Sequence, residues 1–222
     1  NTLYYFRVAA GDAAVSTTFA TAQAYTLADT PGTPTLSAAA IQGFTVKINS
    51  STNPAATRYI IRDTAGAATL YLQDGGTWGS VTSSFTYDQL GPVSGTSTTG
   101  VATNTIHRIS VAAVNGDLVT STYGATADIT TLAAVPGAPT LSAAAIQGFT
   151  VTIVSSSNPA TTTYIVRDTA AETTLYLQDG GTWGAATATF SYLKLGGISG
   201  TSTTGVATNT IHRISVAAVN GD

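Results

Sequence analysis

The chain repeats itself along most of its length. Pro31 to Asp117 aligns with Pro136 to Asp222 without a gap, at a spacing of about 105 residues and with roughly four positions in five identical. Asn1 to Ala10 also aligns with Asn104 to Ala113, as the end of a more divergent third copy. Each copy is expected to fold into the same unit, and the array of stacked units is expected to be the functional structure.

The composition excludes several classes of protein. Charged residues are only 9% of the chain and the formal net charge is −3, so no basic patch tracks a phosphate backbone and we expect no nucleic-acid partner. No apolar run reaches the length of a membrane span in this segment. The absence of cysteine removes disulfides, thiolate catalysis and thiolate metal sites. Low charge, abundant hydroxyl side chains and no oxidisable sulfur favour an extracellular or cell-surface location.

The hydrophobic pattern of each copy predicts β-strands and no helix. Phe44 to Ile48 alternates apolar and polar residues, as a half-buried strand does, and Asp74-Gly75-Gly76 is a strong hairpin signal because it supplies residues that accept positive φ. Six strands are predicted in the complete copy: 44–48, 59–63, 70–72, 84–87, 106–114 and 123–131. About seven strands in a repeat of this length predict a β-sandwich.

These segments resemble a fibronectin type III module. The resemblance rests on the opening Pro31 to Pro34, a B-strand pattern at Phe44 to Ile48, a C-strand pattern at Thr57 to Arg62, and an F-strand signature at Thr2 to Ala10 that recurs at Thr105 to Asn115. It covers essentially the whole chain and implies an all-β fold of tandem immunoglobulin-like sandwiches, of the type found in secreted and cell-surface bacterial proteins.

Three features depart from the family pattern. Ile48 stands where the family usually has a strand-B tryptophan. The tyrosine-corner position is Tyr4 in the first copy but His107 and His212 in the others. The repeat is longer than a typical module, and much of the excess is a Gly-, Ser- and Thr-rich segment at 91–103, which we expect to be a loop.

The resemblance and the alignment together predict the domain boundaries. Residues 1–30 are expected to be strands F and G of a partial repeat, 31–135 a complete repeat, and 136–222 a repeat that lacks its last strand. An F strand without that neighbour would leave backbone groups unpaired. Two alternatives follow: the natural chain continues past Asp222, or another chain supplies the strand.

The two histidines and the two tryptophans are the first candidates for a chemical role. His107 and His212 have no acidic or metal-ligating neighbour at a recognisable spacing, so we interpret them as replacements of the corner tyrosine that keep one hydrogen bond. The alternative is that their protonation loosens the corner. Trp78 and Trp183 follow the Asp-Gly-Gly turns, where a ring either packs on a core or stacks on a sugar.

No other pattern indicates a site. Asp63, Asp74 and Asp117 lack the dense alternation of carboxylates that calcium coordination requires, and Asn49-Ser50-Ser51 is a glycosylation sequon with no counterpart in the next copy. The chain has no Gly-x-Ser-x-Gly elbow. We therefore expect no catalytic, cofactor-binding or metal-binding residues, no cofactor and no enzymatic activity.

Near-identical neighbouring repeats favour a structural function. We expect head-to-tail packing of repeats that forms or spaces an extracellular fibre, sheath or surface layer, with copies of the chain itself as the partners, assembled head to tail or laterally. The alternative is an adhesin stalk or a carbohydrate-binding accessory array attached to another domain, which would make glycans a second partner. A fibre subunit should bury repeated positions such as Trp78 and Trp183, or Ile60 and Val166, between repeats or between chains. A glycan binder should leave these aromatics exposed in a groove.

Overall fold

A computed structural model describes residues 1–11, 18–170 and 173–221, and the chain is all-β over these residues apart from three single-turn 3₁₀ helices. It divides into two compact units. Unit 1 comprises Asn1–Ala39, Gly43–Val101 and Ile106–Ile129, and unit 2 comprises Ala40–Gln42, Ala102–Thr105 and Thr130–Asp222.

Unit 1 holds the first eleven strands, apart from the last residue of its third strand and the last residue of its eleventh. Their bounds are β1 (Leu3–Val8), β2 (Ala20–Tyr25), β3 (Gly32–Ala40), β4 (Gly43–Asn49), β5 (Arg58–Asp63), β6 (Leu70–Leu72), β7 (Trp78–Gly79), β8 (Phe85–Thr86), β9 (Thr96–Ser97), β10 (Ile106–Val114) and β11 (Ala127–Thr130). A 3₁₀ turn at Asp74–Gly76 joins β6 to β7.

The remaining strands belong to unit 2. Their bounds are β12 (Gly137–Ala145), β13 (Gly148–Val154), β14 (Thr163–Asp168), β15 (Leu175–Leu177), β16 (Trp183–Gly184), β17 (Phe190–Ser191), β18 (Thr201–Ser202) and β19 (Ile214–Val219). The other two 3₁₀ turns are at Asp179–Gly181 and Gly197–Ser199.

Unit 1 contains a two-sheet sandwich. One sheet has the order β11-β10-β5-β6-β7, with β8 also paired to β5, and the other has the order β3-β4-β9. Phe44, Val46 and Ile48 on β4 pack in one buried cluster with residues of β5 and β10 such as Ile61 and Val111. Apolar side chains from facing strands therefore fill the space between the sheets, as the alternating pattern predicts. Strands β1 and β2 form a separate antiparallel pair.

Unit 2 repeats this arrangement. Its sheets have the orders β12-β13-β18 and β16-β15-β14-β17, with β19 also paired to β14. Val151 and Ile153 on β13 cluster with Tyr164 and Val166 on β14, and all four are buried. The equivalence extends to register, since β5 pairs with β10 and β14 pairs with β19 over corresponding residues.

The predicted strands exist, with differences at their ends. The strand at 106–114 has the predicted bounds, whereas the one predicted at 123–131 is reduced to Ala127–Thr130. The backbone N–H groups of Ser121 and Gly124 bond to the carbonyls of Ala113 and Val111, and these two bonds differ by one residue in register. A bulge of this kind interrupts the ladder, so the segment remains beside β10 without being a regular strand.

The segment at 91–103 is more ordered than a loop. Within it, β9 pairs with β4 through Val46↔Thr96 and Thr45↔Ser97. The side chains of Thr98, Val101 and Thr103 are buried. This strand could not be predicted from the sequence, because its hydroxyl-bearing and small residues show no apolar alternation. Its position depends on pairing with β4 rather than on local conformational preference.

The Asp-Gly-Gly turn adopts the positive φ values that its composition predicts. Gly75 has φ 74° and Gly76 has φ 80°, and the turn brings Leu72 opposite Trp78. A Cβ added at Gly76 would lie 2.4 Å from the carbonyl oxygen of Ser97, whereas a Cβ at Gly75 would meet no atom within 4 Å. Gly76 is thus required both by its backbone conformation and by close contact with the β9 backbone.

These two glycines give a matched test of the turn. We expect Gly75→Ala to lower the free energy of unfolding by about 1 kcal/mol, the cost of a left-handed alanine. Gly76→Ala should cost clearly more, because the added methyl group also displaces the Ser97 carbonyl. Urea unfolding of both variants measures the difference, and equal losses would contradict the steric requirement at Gly76.

Candidate functional site

A buried histidine–aspartate pair lies inside the sandwich of unit 1. His107 Nδ1 donates to Asp63 Oδ2 at 2.6 Å, and both residues are less than a tenth exposed. Asp63 Oδ1 accepts the backbone N–H groups of Ala65 and Arg108, each at 3.0 Å. The register of β5 with β10 creates the pair, because it aligns Asp63 with Ile109, two residues after the histidine.

The same pair recurs in unit 2. His212 Nδ1 donates to Asp168 Oδ2 at 2.5 Å, and Asp168 Oδ1 accepts from the backbone N–H groups of Ala170 and Arg213. Each histidine thus has an acidic neighbour in space, although the sequence shows none at a recognisable spacing. The partners are 44 residues apart in sequence in both copies, and only the strand pairing joins them.

The pair lowers the pKa of its carboxyl groups. Burial alone disfavours the charged form of Asp63, but hydrogen bonds from His107 and from the backbone of Ala65 and Arg108 outweigh burial. The pKa of Asp63 consequently lies below its ordinary value of 3.8, and the pKa of Asp168 is lowered for the same reasons. Both carboxylates are held in the ionised form that accepts hydrogen bonds.

A hydroxyl group lies next to the second pair. Thr210, His212 and Asp168 follow one another in the order hydroxyl, imidazole, carboxylate, which is also the order in the catalytic triad of a serine hydrolase. Thr210 Oγ1 is 3.0 Å from His212 Nε2, but it also bonds to the Ala207 carbonyl at 2.9 Å. In the preceding repeat the equivalent Thr105 donates to the Thr103 carbonyl at 2.7 Å. The threonine in both copies thus serves a local backbone turn, and the pair acts as a structural link between strands.

The tryptophan rings pack against the cores. Trp78 is half-buried, and its ring centroid lies 6.0 Å from that of Phe44. Trp183 has the same relation to Phe149 at 6.1 Å. This placement agrees with the packing interpretation of these residues.

The acidic residues considered for calcium accept hydrogen bonds from a local turn, from a strand distant in sequence or from the histidine. Asp117 Oδ2 accepts the Tyr25 N–H at 2.9 Å, and Asp74 Oδ1 accepts the Gly75 N–H at 3.0 Å. Among residues 1–11, 18–170 and 173–221, no group of three or more His, Asp or Glu side chains is arranged to hold a metal ion.

An asparagine makes a repeated set of contacts that the sequence analysis did not single out. In unit 1, Asn1 Nδ2 donates to Thr57 Oγ1 at 3.0 Å and to the Val114 carbonyl at 3.5 Å, while Asn1 Oδ1 accepts the Gly116 N–H at 3.1 Å. One amide thus contacts the start of β5 and the end of β10 together. We call this set of hydrogen bonds the asparagine clamp.

Unit 2 contains the clamp one repeat later. Asn104 Nδ2 donates to Thr162 Oγ1 at 2.8 Å and to the Val219 carbonyl at 3.2 Å, and Asn104 Oδ1 accepts the Gly221 N–H at 2.9 Å. Every partner corresponds to its counterpart in unit 1. Asn104 belongs in sequence to the segment 31–135, and its partners belong to the segment 136–222.

A second asparagine in each unit holds the backbone that leads into a repeat. Asn158 accepts the Ala134 N–H at 2.7 Å and donates to the Ala134 carbonyl at 2.8 Å. Asn53 makes the same two bonds with Asp29, both at 2.8 Å. Each of these asparagines therefore pairs with both polar groups of a single linker residue.

Similarity to solved structures clarifies the fold. A two-domain fibronectin type III segment of chicken tenascin matches with a TM-score of 0.51 and 14% identity, over 87% of this chain and 93% of that one. The chain has a fibronectin type III-like fold. The FN1–FN3 domains of chicken CNTN1 also match, with a TM-score of 0.35 and 16% identity, over 98% of this chain and 72% of that one.

The sequence comparisons add nothing to this fibronectin type III-like assignment. No family model matches the chain, and no curated protein matches it. Over the described residues, none of the helices has the length and apolar character needed to cross a membrane.

The buried pair should matter more for stability than an exposed ion pair in the same sandwich. Asp63→Ala removes the carboxylate that accepts from His107 Nδ1 and from the backbone N–H groups of Ala65 and Arg108, so we expect a loss of about 3 kcal/mol or more in the free energy of unfolding. Asp128→Ala removes the half-exposed partner of Arg108 and should leave the unfolding midpoint almost unchanged. Urea denaturation of both variants compares them, and similar midpoints would contradict a structural role for the pair.

The lowered carboxyl pKa values predict acid sensitivity. A carboxyl group whose pKa is depressed in the folded state stabilises the fold above its ordinary pKa of 3.8, and this contribution disappears as pH falls through the folded-state value. We therefore expect the free energy of unfolding to fall as pH decreases below about 4. Asp63→Asn combined with Asp168→Asn should flatten this dependence, and an unchanged slope would show that other groups cause it.

Proposed function

We propose that this chain is a structural repeat protein, in which successive fibronectin type III-like repeats pack head to tail to form or space an extracellular fibre, sheath or surface layer. Its boundaries in this proposal are a partial repeat at 1–30, a complete repeat at 31–135 and a repeat at 136–222 that lacks its last strand. Its partners are copies of the repeat, and it carries no enzymatic activity.

The recurrence of the asparagine clamp is the observation that carries this proposal. Asn1 and Asn104 occupy equivalent sequence positions and bond to equivalent groups, within unit 1 and within unit 2 respectively. In each case the asparagine comes from one repeat of the sequence and its partners come from the next. A contact that recurs with the period of the sequence can propagate along an array of any length, which is the property a fibre subunit needs.

The clamp is strong enough to contribute to stability. Thr162 is 2% exposed and Thr57 is fully buried, so the hydroxyl groups that accept the hydrogen bond from the asparagine Nδ2 are shielded from water. A net contribution of about 1 kcal/mol for each hydrogen bond gives about 2 to 3 kcal/mol for one clamp. The loss of an asparagine would also leave a buried hydroxyl group without this partner.

Composition supports an extracellular array. The clamp and the linker contacts use neutral amides, hydroxyl groups and backbone atoms, and only 9% of the chain is charged. Interactions between such neutral groups depend little on ionic strength, because salt screens charges rather than dipoles at contact. Low surface charge also weakens repulsion between neighbouring copies.

The tryptophans pack within their own sandwiches, which weighs against sugar stacking but is not burial between repeats. Trp78 and Trp183 pack against Phe44 and Phe149 at the edges of the cores. A sugar-stacking ring needs a face open to ligand, whereas these two rings contribute to the packing of the sandwiches.

The clamp can be tested with one substitution and a matched control. Asn104→Gly removes the amide but keeps a residue that accepts the positive φ of this position, so we expect a loss of about 2 kcal/mol in the free energy of unfolding. Asn209→Gly changes the equivalent residue one repeat later, which makes no hydrogen bond within the described part of the chain, and should alter it by less than about 0.5 kcal/mol. Chemical denaturation measures both, and equal effects would remove the observation on which the proposal rests.

The array itself can be tested by imaging. Chains lengthened by one, two and three further copies of the repeat should form rods in negative-stain electron micrographs, and their lengths should increase by a constant increment for each added repeat. Native material from the source organism should contain filaments with a period of one or two repeats. Compact particles whose length does not increase with repeat number would contradict head-to-tail packing.

A further inference from the structure

Asn209 is the third member of the clamp series. It follows Asn104 by one repeat, and the sequence around both residues is Ala-Thr-Asn-Thr-Ile-His. Asn104 has φ 48° and Asn209 has φ 51°, so both adopt the left-handed conformation. Asn209 is exposed, and its side chain makes no hydrogen bond within residues 1–11, 18–170 and 173–221.

The conformation of Asn209 is set by its own loop. Thr210 Oγ1 donates to the Ala207 carbonyl at 2.9 Å, across the asparagine, and Thr105 Oγ1 closes a similar turn beside Asn104 by donating to Thr103 at 2.7 Å. A left-handed conformation is uncommon for residues other than glycine and is most often tolerated by asparagine. The backbone of Asn209 therefore adopts the conformation of a clamp asparagine although its side chain makes no clamp hydrogen bond within the described residues.

Thr208, next to Asn209, also corresponds to a residue that makes a contact in unit 2. Its equivalent, Thr103, donates through Oγ1 to the Ser157 carbonyl at 2.7 Å, alongside the Asn104 clamp in unit 2. Thr208 is exposed and its hydroxyl makes no hydrogen bond within the described residues. Two adjacent side chains at this position, one amide and one hydroxyl, thus present the same groups that bind the following sequence one repeat earlier.

The partner that these groups fit can be read from the two existing clamps. Each clamp uses one hydroxyl and one carbonyl oxygen to receive Nδ2, and one backbone N–H to donate to Oδ1. The same three groups occur in both copies, at Thr57, Val114 and Gly116 and at Thr162, Val219 and Gly221. All are neutral, so recognition depends on the position of three hydrogen-bonding groups rather than on charge.

We propose that Thr208 and Asn209 form a docking surface for one further copy of the repeat, joined in the same chain, whose threonine, valine and glycine correspond to Thr57, Val114 and Gly116. This inference rests on the proposed function and specifies its partner residue by residue. The local turn preorganises Asn209, so little conformational freedom is lost when the further repeat binds.

The experiment compares Asn209→Gly in two chains. One is the chain of residues 1–222, and the other is the same chain extended after Asp222 by a second copy of residues 118–222, which preserves the repeat register because Asp222 corresponds to Asp117. In the 1–222 chain the substitution should leave the urea midpoint unchanged. In the extended chain it should lower the midpoint by as much as Asn104→Gly does.

Two further variants separate a clamp from a general effect on the loop. In the extended chain, Asn209→Asp keeps the left-handed backbone but replaces the Nδ2 donor by a carboxylate oxygen facing the valine carbonyl, so the midpoint should fall at least as far as in the glycine variant. Substitution of valine for the appended copy of Thr162 should lower the midpoint, and its effect should be non-additive with that of Asn209→Gly.

The outcomes distinguish this inference from the function on which it rests. If Asn209→Gly has no effect in the extended chain while Asn104→Gly lowers the midpoint, the docking surface is wrong and the repeated clamp remains. If neither substitution has an effect, the proposed function loses its support as well. Additive effects of Asn209→Gly and the appended threonine substitution would also overturn the docking surface.

Discussion

The antiparallel pairing of β10 with β5 is the constraint on which most of the structure depends. It aligns Val111 with Ile61 and Ala113 with Tyr59, and the side chains of these residues are buried together between the sheets. The same register brings His107 next to Asp63. Because side chains alternate along a strand, a shift of one residue would place this apolar set on the opposite face and separate His107 from Asp63. The pairing of β14 with β19 reproduces the register in unit 2, from Thr163 to Asp168.

The sequence predicts the strands better than it predicts the partners of polar side chains. Alternation located the β10 segment to the residue, and turn chemistry located the positive φ values at Gly75 and Gly76. The partner of His107 was missed because it lies on another strand, and strand register is a tertiary property. One signal was available: Asp63 shares the inward face of β5 with Tyr59 and Ile61, and a carboxylate on such a face requires a partner.

The asparagine clamp shows a different limit of sequence reasoning. An asparagine before an F strand is typical of a turn or a loop, and nothing in its local pattern separates a solvated residue from one that bonds to distant strands. Asn104 and Asn209 have the same neighbours in sequence and the same backbone conformation, yet only Asn104 makes clamp contacts within the described residues. The difference depends on which sequence lies beside each residue in space, and the letters around them cannot encode it.

Neutral contacts of this kind suit a chain with few charges. An ionic contact between repeats would fix partners by long-range attraction, but it would weaken in salt and would require matched charges in every copy. An amide that donates to two oxygens and accepts from one N–H requires only that the next repeat has the same backbone and one threonine. Near-identity of the repeats supplies both conditions, so the constant period of the sequence and the neutrality of the contact are both compatible with a clamp that recurs in each repeat. Divergence between copies can then concentrate on exposed positions such as Val93 and Ile198, which take no part in the clamp.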